Sequence, residues 1–157
     1  TETIEHNRRI DEGTFVLAAN PSDTFVVPAK KDVVPDFDMK PLRDVVERLR
    51  VAARRFDAAV APAAGGNAGA LAPANAVLFT AERALTRQEG LPRRPWFRHQ
   101  VYAPGYYTGY GVKTLPAVRE ALEQRAWDEA RRQIPIVAGT LDRYAGEIER
   151  ATLLLER

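Results

Sequence analysis

Arg93, Arg94, Arg98, His99, Tyr102, Tyr110 and Lys113 fall within one segment, Pro92 to Pro116, and carry most of the polar chemistry of this chain. These groups bind carboxylates: arginine as a planar bidentate donor, lysine as a point charge, tyrosine through its hydroxyl. Trp96, Phe97, Tyr106 and Tyr107 lie among them, with glycines at 105, 109 and 111 and no helical or strand period. Loops this long inside a compact domain are functional or disordered, and the aromatic content argues against disorder. The plainer reading is a plug of rings closing one end of a core. Arg94 and Arg98 suit a carboxylate of a substrate or partner, but a structural ion pair is the role expected of them.

Other catalytic chemistries lack their residues. A zinc peptidase needs clustered His, Asp and Glu ligands and a carboxylate base. The two histidines, His6 and His99, stand in unrelated contexts, and neither has a second ligand at i, i+4. Ser22 is the only serine and sits in a turn-forming run, Asn20-Pro21-Ser22-Asp23. Zero cysteines exclude disulfides and thiolate metal sites. Glu82 with Arg83, and Arg119 with Glu120, read as solvated or salt-bridged faces. Alone, the chain is expected to be no enzyme, with no catalytic residue, metal site or cofactor.

The elements that must hold the aromatic segment are helical. At 157 residues, 45% hydrophobic and 28% charged, the chain has the composition of a single soluble domain. Leu42, Val45, Leu49, Ala52, Phe56 and Ala59 alternate spacings of three and four, the face of a helix opened by Asp38 and Pro41. Ala61 to Ala70 reads as a flexible small-residue connector. Leu71, Ala74, Leu78, Ala81 and Leu85 mark a second helix. After the aromatic loop, Thr114 is expected to cap a short helix from about Leu115 to Gln124. The longest stripe follows: Trp127, Ala130, Ile134, Val137, Leu141, Tyr144, Ile148, Ala151 and Leu155, with Pro135 expected to bend it.

The predicted fold is therefore all-α: an up-and-down four-helix bundle over 38–157, with a long aromatic and glycine-rich loop before its third helix. Residues 1–37 form an irregular N-terminal extension: a polar helix ended by Gly13, then a possible hairpin from Thr14–Ala18 and Thr24–Val27. Ile136, Leu153 and Leu154 lie off the last helix's inward stripe and are candidates for a partner surface.

The run Leu91-Pro92-x-Arg94-Pro95-Trp96-Phe97-Arg98-His99-x-x-Tyr102-Ala103-Pro104 resembles the transferrin-receptor-like dimerisation domain. That is the C-terminal helical domain of glutamate-carboxypeptidase-like (M28-type) zinc peptidases and of transferrin receptors. The likeness extends to Tyr110, Pro116, Trp127 and Gln133, and back to Leu78, Glu82 and Arg83. It covers the second half of the chain well and Leu42 to Val60 in pattern; residues 1–37 match nothing. The resemblance implies a homodimer and a zinc-bearing protease domain elsewhere in a larger parent. It also implies that the loop after Tyr-Ala-Pro reaches over the peptide substrate as a lid. Tyr110 aligns with a tyrosine whose hydroxyl meets a substrate carboxylate. Its neighbouring lysine is Gly109 here, so the charge favouring acidic side chains is missing, and Lys113 is the nearest replacement. Arg98, His99, Tyr102 and Pro104 are expected to structure the loop.

Two other readings stand beside that one. A receptor-like protein without peptidase activity would keep the module for dimerisation alone. A basic helical module would bind nucleic acid through Arg43, Arg48, Arg50, Arg54 and Arg55, but Asp44, Glu47 and Asp57 interleave with them, and a net charge of +2 is not that of a dedicated binder. No nucleic-acid partner and no membrane span are expected. Thr1 opens directly into charged residues, so no leader is expected, and a chain without an initiating methionine suggests a fragment or processed form. The sequence carries no cellular address of its own; an extracytoplasmic parent, periplasmic or secreted, fits the resemblance.

Overall fold

The structure, a computed structural model, describes residues 2–22, 25–66 and 68–157. It divides into two units, one ending at Asp36 and one spanning Phe37–Arg157.

The N-terminal unit contains α1 (Glu2–Asp11) and α2 (Thr14–Leu17). Gly13, at φ +67, ends α1 and opens α2, and the N–H groups of Val16 and Leu17 return to its carbonyl. Thr14–Leu17 is thus one helical turn and not the first strand of a hairpin. A lone two-stranded ribbon has little to bury, whereas here the Phe15 ring packs edge-on against His6, with centroids 5.5 Å apart. Thr24, which would open the second strand, lies outside the described residues, and Phe25–Val27 are irregular and exposed. Asn7 clamps the segment after it, donating to Lys31 O at 2.6 Å and accepting from Lys31 N at 2.8 Å.

The second unit is built on α3 (Lys40–Gly66), α4 (Ala68–Ala81), a 3₁₀ turn (Glu82–Leu85), strands β1 (Tyr102–Pro104) and β2 (Val112–Thr114), α5 (Pro116–Glu123) and α6 (Trp127–Leu155). α6 is the common partner of α3, α4, α5 and the 3₁₀ turn. Leu42 and Val45 of α3, Val118 of α5, and Ile134, Val137, Ala138 and Leu141 of α6 form one apolar cluster. Toward the far end of α6, Ala63, Ala74 and Leu155 meet in a second, with Phe56, Leu71 and Leu154 packed around them.

The expected connector at 61–70 is mostly helix. α3 continues through Pro62 to Gly66, because Ala63 is buried against Ala74 and Leu155 and tertiary packing outweighs the poor propensity of proline and glycine. Asn67 lies outside the described residues. Thr114 is no cap either: it ends β2, and Leu115, left-handed at φ 47, precedes the helix that Pro116 opens.

The chain is mostly helical, as expected, but not purely so, since β1 and β2 form a small antiparallel sheet. The topology also differs from up-and-down. Arg48 pairs with Asp142 and Glu149, and Arg55 with Glu156, so α3 and α6 ascend together. In an up-and-down bundle of four, the first and last helices run opposite ways. α4 is antiparallel to α6: Ala74 lies by Leu155, while Ala84 and Thr86 lie by Arg143. α3, α4 and α6 thus alternate in direction, and the aromatic segment and the short α5 stand between the last two without a full return crossing, with Arg93 paired to Glu129 in the first turn of α6.

Candidate functional site

The segment between the 3₁₀ turn and α5 is ordered by three anchors. The first is a tight turn at its entry. Leu91 N donates to Phe97 O at 2.8 Å, Arg94 N to Leu91 O at 3.1 Å, and Phe97 N to Arg94 O at 3.0 Å. Gly90 permits it, since φ is +65 and a Cβ there would stand 2.2 Å from Pro95 O. Arg93, also at positive φ, is held by Glu129 of α6 at 2.8 and 3.0 Å, which raises its guanidinium pKa further. Gln100, 1% exposed, closes the turn from inside by donating to Arg98 O at 2.9 Å and Gly90 O at 3.4 Å.

The second anchor is the buried pair Arg94–Glu120, each side chain 5% exposed. Arg94 Nη2 donates to both carboxylate oxygens at 2.7 and 2.8 Å, while Nη1 donates to Pro104 O. Glu120 Oε1 also accepts the Tyr106 N–H at 2.8 Å. The guanidinium lies 5.6 Å from the Phe97 centroid and 5.7 Å from that of Tyr106, and its Nε is buried without a hydrogen-bond partner among the described residues. Leu91, Ala103 and Ala117 form the apolar floor.

The third anchor is His99. Its Nδ1 accepts from Val101 N at 3.3 Å and Tyr102 N at 3.2 Å, which places the proton of the neutral ring on Nε2. Nε2 faces Glu82 Oε1 at 3.6 Å, beyond hydrogen-bond reach. The ring stacks on Tyr102 at 4.1 Å between centroids, and the Tyr102 hydroxyl donates to Glu82 Oε1 at 3.1 Å. Burial pushes the His99 pKa below 6.5 against the opposing pull of Glu82. The Glu82 carboxylate raises that of Tyr102.

From these anchors projects the hairpin. Tyr102 pairs with Thr114, Ala103 with Lys113 and Pro104 with Val112. Gly105 N donates to Gly111 O at 2.8 Å, and the turn between them carries Tyr107 and Tyr110, which is fully exposed. Gly109 takes the left-handed conformation at φ +65, with open space where a Cβ would point. Lys113 is engaged: its Nζ donates to Glu123 at 2.8 and 3.0 Å, and that bond, with one from Arg119, holds the Glu123 carboxyl below its usual range.

The structure thus gathers His99, Tyr102 and Pro104 at the hairpin base and sets Gly109 and Tyr110 at its tip. Arg98 contributes through its carbonyl, which accepts from Arg87 N and from Gln100; its exposed side chain has no hydrogen bond or ion pair among the described residues. Ile136 is half-buried, lining a cavity of about 370 Å³ with Leu91, Arg93, Glu129 and Gln133. Leu154 packs against the Ala63–Ala74–Leu155 cluster, and Leu153 is half-exposed. Sequence reasoning missed Glu123 and Gln100, and took Glu120 as a solvated or salt-bridged face, whereas it is buried and paired with Arg94. Glu120 had a signal: it shares a helical face with Ala117 and Ala121, where a carboxylate needs a buried partner.

Among the described residues no three His, Asp or Glu side chains are placed to hold a metal ion, so these residues do not fit a zinc site. No helix is long and apolar enough to cross a membrane.

Residues 37–149 match the transferrin receptor-like dimerisation domain. The chain belongs to that family. Two relatives bear on its context. It is 39% identical over 64 residues to a probable glutamate carboxypeptidase, LAMP1, of Arabidopsis thaliana, a stretch covering 36% of this chain and 9% of that protein. It is 49% identical over 41 residues to a probable glutamate carboxypeptidase of Arthroderma benhamiae, covering 26% of this chain and 6% of the relative. The dimerisation domain therefore matches only a small part of each relative's length. Its family name fits an architecture that offers helical surface and a projecting loop.

Proposed function

We propose that this chain is the helical dimerisation and substrate-lid domain of an M28-type zinc-dependent carboxypeptidase-like protein, non-catalytic by itself. The observation that carries this reading is Tyr110: a fully exposed tyrosine at the tip of a hairpin whose outgoing arm is hydrogen-bonded to the buried Arg94–Glu120 pair. A ring with no packing role, on a loop so firmly anchored, is suited to contact something outside the chain. In this reading the outside group is a substrate carboxylate, the zinc belongs to a separate protease domain, and two copies associate through their helices.

The test is kinetic and uses the full-length parent. A hydrogen bond from the Tyr110 hydroxyl to a carboxylate contributes about 1.5–3 kcal/mol. Tyr110→Phe is expected to lower kcat/KM about ten- to a hundredfold with the fold intact. Unchanged kinetics would remove the lid role.

A receptor-like parent without peptidase activity is the second reading, favoured by the loss of the lid's cation. Gly109 carries no charge, and Lys113 is committed to Glu123. Gly109→Lys has room for its side chain, but the left-handed backbone there costs an L-residue about 1–2 kcal/mol. In an active parent it is expected to raise preference for substrates ending in glutamate. A parent that neither hydrolyses peptides nor binds zinc would establish the receptor reading.

A further inference from the structure

We infer that the buried Arg94–Glu120 pair is a positioning device for Tyr110, holding the hairpin base so that the tip is presented in one place. The inference rests on the reading of Tyr110 as a substrate contact. A buried ion pair is a poor source of stability, because desolvation offsets most of the attraction, and an apolar pair of similar volume would serve the core as well. What an apolar pair lacks is directional hydrogen bonding, and here that bonding goes to the hairpin. Arg94 Nη1 donates to Pro104 O, Glu120 Oε1 accepts Tyr106 N–H at 2.8 Å, and between them Gly105 N donates across to Gly111 O at 2.8 Å. Residues 104, 105 and 106 of the outgoing arm are each fixed by a backbone bond.

The return arm is tied to the same helix. Lys113 donates to Glu123, which stands three residues beyond Glu120 and on the neighbouring part of the α5 surface. α5 therefore grips both arms and leaves the tip, with Tyr107 and Tyr110 exposed, as the free portion. Phe97 and Tyr106 flank the guanidinium and limit its alternatives.

Two measurements test this. In the present chain, Arg94→Met/Glu120→Leu keeps the volume apolar and paired while deleting the bonds to Pro104 and Tyr106. Helical circular dichroism should persist, while hydrogen exchange at the Gly105 and Tyr106 amides, and chymotryptic cleavage after Tyr107 or Tyr110, accelerate by at least about tenfold relative to amides inside α6. If that variant does not fold, Arg94→Lys, which keeps the charge and loses the fork, gives the same readout. A folded variant with wild-type protection at Tyr106 would overturn the inference. In the full-length parent, Arg94→Lys should lower kcat/KM for the substrates that Tyr110→Phe affects, and the double variant should be little worse than the poorer single one. Additive losses would overturn the positioning role while leaving the lid reading intact. A silent Tyr110→Phe would remove the lid reading, and the positioning role with it, whatever the exchange data show.

Discussion

Arg48 of α3 meets Glu149 of α6 as a bidentate pair, with Nε 3.0 Å from Oε1 and Nη2 2.7 Å from Oε2, while Nη1 bonds Asp142. One heptad further along both helices, Arg55 Nε donates to Glu156 at 2.8 Å. The shared interval of seven keeps the two parallel helices in register on their solvent side. Two of the arginines considered for a nucleic-acid surface are thereby committed within the chain, and Arg50 is paired with Glu47.

Arg48→Ala is expected to cost about 0.5–1 kcal/mol at neutral pH, since both partners are partly exposed and screened. The difference should shrink in molar salt. The bond to Arg48 lowers the Glu149 pKa below 4.5. Its contribution is therefore complete above about pH 4.5 and lost as pH falls through the lower folded value. Urea unfolding of both proteins, at pH 7 and near pH 3, should show the gap closing in acid. A gap that is unchanged there would count against the pair.

His99 offers a second titration, with its own sign. Burial lowers its folded pKa below 6.5, so its contribution to stability is complete above that pH and lost as pH falls through the folded value. Because Glu82 pulls the other way, Glu82→Gln should lower the His99 midpoint further. The same substitution replaces the charged acceptor that raises Tyr102 with a neutral amide oxygen, so the Tyr102 pKa should fall. Ring-proton titration by NMR reads both. A His99 midpoint that rises in Glu82→Gln would refute the arrangement.

The helices were legible because their stripes are periodic. Leu42, Val45 and Ala52, and Ala130, Ile134, Val137, Leu141, Ala151 and Leu155, are buried where a 3.6-residue repeat places them, with Tyr144 and Ile148 half-buried between them. What periodicity did not reveal was local or long-range. Thr14–Leu17 has strand-like composition but no second strand to pair with. Ala61–Ala70 has the composition of a linker, but Ala63 packs against Ala74 and Leu155. The direction of α6 relative to α3 depends on the aromatic segment and the short α5 making no full crossing between α4 and α6, which no stripe encodes. Within the site, the motif from Leu91 to Pro104 located the loop, but Arg94's partner lies in the next helix, on a face that only the folded chain brings near.

Two glycines should respond in opposite directions to alanine. Gly90→Ala forces a Cβ into positive φ and into the Pro95 carbonyl, costing at least about 1–3 kcal/mol. Gly139 lies inside α6, and a methyl group added there would meet nothing within 4 Å, so Gly139→Ala should stabilise by about 0.5–1 kcal/mol. Thermal unfolding of the two variants against wild type decides both. A neutral Gly90→Ala would mean that the entry turn relaxes freely.

The two neighbouring leucines at the end of α6 separate interface from core. Leu153 is 50% exposed, whereas Leu154 packs with Phe56 and Leu71 around the Ala63–Ala74–Leu155 cluster. Leu154→Ala should therefore lower stability by about 1–3 kcal/mol at any protein concentration, because it opens space in a core. Leu153 belongs to none of the three apolar clusters described above. If the dimer forms on that side of α6, Leu153→Asp should shift sedimentation toward the monomer while leaving the monomer's own stability near wild type. Phe79 supplies the alternative face: it is 87% exposed on α4, and no charged residue lies between Asp57 and Glu82. Dissociation by Phe79→Asp but not by Leu153→Asp would move the interface to α4. A chain that sediments as a monomer at high concentration, alone and in the full-length protein, would refute an interface at either Leu153 or Phe79.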